Sequence, residues 1–204
     1  MPRHTGIVTP SLLAILALLA GAVPPSVAAA AERAVVLDAA GSTVTFTLDT
    51  TFHEVHGTMA LKGGTVRFDP STGLASGTIT VDARRAETGN DKRDKTMHAD
   101  VLESERYPTI VFRAERVEGT LVDPGHSDLR LVGVLTLHGA DHNLTLTASV
   151  DSAGGRVRCE LRFPIPYVEW GLHDPSFFVA RTEKTVDVTV RVEGSWSDAV
   201  AAAH

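Results

Sequence analysis

Apolar and polar residues alternate one by one along most of this chain, and that period of two constrains its fold more than any other feature. A strand turns successive side chains to opposite faces, so alternation marks a strand with one face buried. Val44, Phe46 and Leu48 are separated by threonines. Val66 and Phe68 follow the turn pair Gly63-Gly64, and Ile79 and Val81 lie among Thr78, Thr80 and Asp82. Ile110, Phe112 and Ala114 alternate with Arg113 and Glu115, and Leu144, Leu146 and Ala148 with Thr145 and Thr147. The pattern continues through Val157, Cys159, Leu161 and Phe163, and again through Val186, Val188, Val190 and Val192. Residues 131–138 are apolar on both faces, which predicts a cover over the outer face there.

Turn residues punctuate these runs at Asp69–Gly73, Asp123-Pro124-Gly125, Gly139-Ala140-Asp141 and Gly154-Gly155. Short turns between about eight strands predict an all-β, meandering antiparallel sheet that hides its edges as a barrel or a sandwich. One segment breaks the period. Residues 88–104 read as an inserted helix: Thr88 and Asp91 resemble a capping box, and Met97 and Val101 stand four apart on one face. Tyr107-Pro108 ends it. Such a helix would plug one end of a barrel or cover a flank.

The N-terminus is of another kind. Residues 11–23 are an uncharged apolar run, preceded by Arg3 and followed by Pro24-Pro25 and small residues up to Ala31. This predicts a cleaved signal peptide over residues 1–31 and a soluble periplasmic or secreted product, with a barrel domain over 32–198 and a short tail over 199–204. The full chain has a formal net charge of −6. The first 31 residues hold one arginine and no acid, so the mature product is at −7. That balance argues against nucleic acid as a partner, because phosphate binding needs clustered Lys and Arg. One cysteine, Cys159, excludes an intramolecular disulfide and any multi-thiolate metal site.

Seven of the nine histidines lie between residues 32 and 198. His53-Glu54-Val55-His56 is one residue short of the zincin spacing, and on a strand positions three apart face opposite ways. His138 and His142 flank a predicted hairpin turn, where opposite positions share a face and two imidazoles could hold a metal with help from His53, His56 or His173. Turn histidines bonded to loop carbonyls are the plainer reading, and no metal site is assigned. No nucleophile motif, phosphate loop or carboxylate pair points to catalysis. Residues 163–178 carry Tyr167, Trp170, Phe177 and Phe178 in one long connection, which predicts a loop that caps the barrel end or lines a ligand mouth.

The chain resembles the YceI-like family of exported lipid-binding proteins. The resemblance rests on Val55–Met59, on Thr88-Gly89-Asn90 with Arg93-Asp94, on Leu102, and on Tyr107–Phe112. Leu135–Gly139 and the pair Trp170-Gly171 complete it, and it covers roughly residues 35–194. It departs from many relatives at Pro166–Glu169 and at Asp49-Thr50, both near the expected mouth. The resemblance implies an extended, lipocalin-like antiparallel barrel with a helix near residues 90–104. It implies a polyisoprenoid or similar lipid tail in the lumen, transient membrane contact for lipid exchange, no catalytic residues and no cofactor beyond the lipid; a homodimer is left open. The expected lumen and mouth residues are Phe46, Leu48, Phe68, Ile79, Val81, Ile110, Phe112, Leu146, Leu161, Phe163, Tyr167, Trp170, Phe177 and Phe178. An eight-stranded barrel can be filled by its own side chains or hold one ligand, and this inward set fits either. A metal- or haem-binding protein with a histidine-rich rim, and a filled β interaction module, are the alternative readings.

Overall fold

Every alternating segment forms a strand. The computed structural model describes residues 32–176 and 181–198, so the predicted signal peptide, the tail beyond 198, Phe177 and Phe178 lie outside the described residues. The strands are β1 (Arg33–Asp49), β2 (Glu54–Phe68), β3 (Ala75–Glu87), β4 (Thr109–Glu118), β5 (Gly125–Leu137), β6 (Ala140–Ala153), β7 (Arg156–Ile165) and β8 (Val186–Asp198). Each pairs antiparallel with its neighbours in sequence, and β8 returns to β1, with Phe46 across from Val188. The sheet therefore closes as a barrel, which removes both edges at once.

Turn chemistry sets the register. Between β5 and β6 the turn is His138-Gly139, with φ of 52° and 77°, and Leu137 pairs with Ala140. Gly154-Gly155 (58° and 79°) joins β6 to β7 the same way. Both are two-residue turns with two positive φ angles, the type whose twist suits a hairpin. A histidine in the first position is unusual. His138 is held there by Glu103, 3.1 Å from its Nε2, and by the Tyr107 ring at 4.4 Å.

The predicted cover over the outer face of β5 comes from a side chain of the preceding strand, β4. Val134 is buried opposite Arg113, whose guanidinium donates to Thr136 (2.9 Å) and Asp141 (2.7 Å). The inserted helix is shorter than predicted. α1 (Asp91–Thr96) runs into a π-helical turn (Met97–Val101). Its cap is Asn90, which accepts from the Arg93 amide at 3.0 Å. Thr88 is bound instead to Asp94, one turn further on than the capping box required.

Several carboxylates are held below their ordinary range. Burial pushes Asp82 up, but the Arg84 amide and the Lys62 and Arg84 charges outweigh it. Hydrogen bonds from Arg33 and Ser152 lower Asp123, those from Thr136 and Arg113 lower Asp141, and those from Arg191 and Arg162 lower Glu160. A carboxylate depressed by folding stabilises the protein above its unfolded pKa, about 4, and that contribution disappears as pH falls through the folded value. Between about pH 5 and pH 3 the melting temperature is therefore expected to fall, with most of the drop below about pH 4. Thermal melts across that range check this; a melting point that rises on acidification would contradict it.

Candidate functional site

The inward faces of the strands enclose a cavity of about 620 Å³, within the range of small-molecule sites. Phe46, Leu48, Phe68, Ile79, Val81, Ile110, Phe112, Leu146, Leu161 and Phe163 line it, as alternation places them, and Tyr167 of the aromatic connection lines it too. Its side chains retain solvent-accessible area although the barrel wall surrounds them. Phe112 keeps 8% and Phe46 and Leu161 each 9%, and no large side chain among the described residues falls below 2%. A filled core would seal its central side chains against one another. This lumen is hollow.

Two glycines make room for the central phenylalanines. Gly57 on β2 stands opposite Phe46 on β1. A Cβ on Gly57 would lie 2.1 Å from the Phe46 ring, and one on Gly133 would lie 2.7 Å from the Phe112 ring. Each ring thus reaches over a glycine on the adjacent strand, into space that a side chain there would fill.

The cavity reaches the surface at the end that carries α1. Thr50, Phe52, His53, Asn90, Lys92 and Thr182 line it there, and Phe52 is 71% exposed at the tip of the β1–β2 hairpin. The tip is braced: the Thr50 hydroxyl donates to the His53 carbonyl (2.6 Å), and the Thr51 amide donates to the Arg181 carbonyl (2.9 Å). The helix is fixed at its start. Arg93 donates through Nε to the Thr88 hydroxyl (2.7 Å) and through Nη2 to the Thr88 carbonyl (2.9 Å). Met97 and Val101 then face the lumen together.

The long connection after β7 both caps and lines this end. Tyr167 and Leu172 are buried and line the cavity with Pro175. The Tyr167 hydroxyl donates to the Glu183 carbonyl at 2.9 Å, and burial pushes its pKa up. Trp170 is not among the lining residues. Its ring stacks on His142, 3.9 Å between centroids and 7° from parallel. Alternation carries no information beyond a strand end, so the sequence could not place a loop tryptophan.

The histidines are not gathered. His138 occupies the turn and His142 pairs with Leu135, so the two are not cross-strand partners. His56 contacts Thr47 and Glu54, and His53 stands at the mouth. Among the described residues no three His, Cys, Asp or Glu side chains form a group able to hold a metal ion. His98 and Ser104 form a hydrogen-bonded pair that serves as a strut. The Ala86 carbonyl can only accept, so the proton is on His98 Nε2 (2.9 Å), and Nδ1 accepts from the buried Ser104 hydroxyl (2.9 Å). Cys159 lines the lumen, where burial pushes its thiol up to about 12; it is protonated and unreactive at neutral pH.

Phe52, Lys92, Arg93 and Trp196 are among the lining residues absent from the sequence-based set. Two left a trace. A phenylalanine in the hairpin segment Thr50–His53 has no core to enter, and Trp196 continues the inward parity of β8 past Gly194.

Comparison with known proteins bears on the whole barrel. Residues 36–194 match the profile of the YceI-like domain. A UPF0312 protein of Vibrio cholerae is 32% identical over 93 residues, 45% of this chain and 47% of the relative. One of Vibrio vulnificus is 28% identical over 130 residues, 57% of this chain and 60% of the relative. The chain spans about half the length of the curated relatives it matches. Among solved structures, a polyisoprenoid binding domain from Saccharophagus degradans aligns with a TM-score of 0.65 at 15% identity, covering 79% of this chain and 97% of that one. BcnA of Burkholderia cenocepacia aligns at 0.64 and 16%, covering 77% and 98%. At such identities the structural likeness speaks for the fold. The profile match runs from β1 into β8, and on that ground the chain belongs to the family of YceI-like domains.

Proposed function

We propose that this protein is an exported lipid carrier that holds the apolar tail of an isoprenoid or similar long-chain lipid in its lumen. The observation that carries this reading is the hollow itself: an apolar cavity whose lining side chains keep accessible area. Family membership and the polyisoprenoid binding domain among the structural neighbours support the same reading. Export rests on the apolar run at residues 11–23 and the small residues up to Ala31. The protein isolated from its native host is expected to contain an extractable long-chain lipid. Mass spectrometry of a solvent extract tests this. An empty extract, together with no uptake of a fluorescent fatty-acid probe, would defeat the proposal.

Each methylene that leaves water for the lumen gains about 0.8 kcal/mol, but it is equally dry in a bilayer. Transfer between bilayer and lumen is then nearly isoenergetic, and access decides the rate. The exposed Phe52 at the mouth is suited to enter the membrane interface while a tail passes. Replacing it by aspartate is expected to slow probe transfer from vesicles about tenfold, since a buried phenylalanine contributes roughly 1.5–3 kcal/mol. Equilibrium uptake from solution should change less than the transfer rate. Stopped-flow transfer measured beside equilibrium titration separates the two, and an unaltered transfer rate would refute the role of Phe52.

A further inference from the structure

Polar groups at the mouth are unevenly committed. Asn90, Lys92 and Arg93 line the cavity together at the start of α1. The Asn90 side-chain oxygen accepts from the Arg93 amide (3.0 Å), which leaves its NH2 group, a donor, unspent. Arg93 uses Nε and Nη2 on Thr88 and keeps Nη1. Lys92 is exposed and has neither a hydrogen bond nor an ion pair among the described residues. These three free groups can only donate. The hydroxyls beside them are already bonded. That of Thr88 joins Arg93 to Asp94, that of Thr50 donates to the His53 carbonyl (2.6 Å), and that of Thr182 donates to Asp174 (3.3 Å).

Charge at the mouth is as one-sided. Acids outnumber Lys and Arg by 25 to 19 in the whole chain. Among the described residues, nevertheless, no Asp or Glu lines the cavity, while Lys92 and Arg93 do. Asp94, next to Arg93, is turned to Thr88, from whose amide and hydroxyl it accepts.

We infer that the mouth beside α1 is a head-group site for an anion, a carboxylate or a phosphate carried on the tail, with Lys92 as the charge that selects it. The inference rests on the lumen being the tail site and names the class of lipid that fits it. The apolar lining further in offers a charged head no partner, so the head stays at the mouth. There an anion accepts from Lys92 Nζ, Arg93 Nη1 and the Asn90 NH2 group, and charge-assisted bonds of this kind are about twice as strong as neutral ones. An ester or alcohol oxygen can accept from the same donors but gains nothing from their charge. An ammonium head has no lone pair and meets only donors and like charge.

The test compares heads on matched tails at low salt and pH 8, each presented on cyclodextrin. One set is a long-chain fatty acid, its methyl ester and the corresponding amine; the other is a prenyl monophosphate and its parent alcohol. The acid is expected to bind at least about tenfold tighter than the ester, and the phosphate at least about tenfold tighter than the alcohol. A gain in one set alone supports the site and names the carboxylate or the phosphate as its ligand. Salt at about 1 M, where the Debye length is about 3 Å, should shrink the gain. Lys92→Gln should bring the acid to within about threefold of the ester, because the selecting charge is gone. Lys95→Gln removes the same charge from an exposed lysine of α1 outside the lining, and it should keep the tenfold gain. No gain in either set, an amine that binds as tightly as the acid, or a full gain in Lys92→Gln would overturn the head-group site. Wild-type protein that binds no member of either set would instead overturn the tail-site reading on which it rests.

Discussion

Aspartate in place of Phe112 is expected to abolish tail uptake and to cost the barrel at least the ~3–5 kcal/mol that deletion of a buried phenylalanine removes. Phe112 sits at mid-wall with 8% of its surface accessible, packed with Ala114, Leu135 and Leu146. Its loss removes that packing, and the carboxylate that replaces it has no cation among the apolar residues around it to repay desolvation. Domains of this size are stable by only about 5–15 kcal/mol, so the variant should melt far below the wild type. Circular dichroism melts and probe titration measure the two effects. A variant that melts normally and takes up probe would show that Phe112 faces outward.

Val190→Trp tests the same lumen from the opposite direction. Val190 is half-buried on β8, lines the cavity, and stands between Val44 and Leu161 in the ladder. In a filled core an inserted ring costs about 1–3 kcal/mol, because neighbours must leave their rotamers. In a hollow tube the ring has room and gains contacts, so the melting temperature should hold or rise. Probe affinity should fall at least about tenfold, because the ring occupies length that the tail would fill. Stability and binding therefore move apart in this variant, whereas in Phe112→Asp they fall together. A sharp loss of stability with uptake intact would mean that the lumen is packed solid.

Much of this was legible in the sequence because period-two alternation reports one thing well, which side of a strand each residue faces. Seven of the eight strands carry it, β5 being apolar on both faces, and the large residues it turned inward, from Phe46 to Phe163, line the cavity. What it cannot report is whether the inward side chains meet. The same valines and leucines would serve a packed core. Where the rings of Phe46 and Phe112 go depends on Gly57 and Gly133 beside them on adjacent strands, a matter of cross-strand register. Loops were the other blind spot. The Asn90 cap, the stacking of Trp170 on His142 and the exposure of Phe52 depend on which segments the barrel brings together, and no short-range period encodes that. The expected rim pairing of His138 with His142 failed for a related reason: a turn one residue earlier than drawn moved His138 out of the ladder.

The pairing of the first strand with the last has a consequence for how the molecule is made. β1 finds its second partner only in β8, almost the whole domain away in sequence, and so long a loop must close before that pairing is rewarded. Until the final strand emerges and docks, the nascent sheet is an open ribbon with no inside. A lumen able to enclose an apolar chain therefore exists only once that last strand has docked.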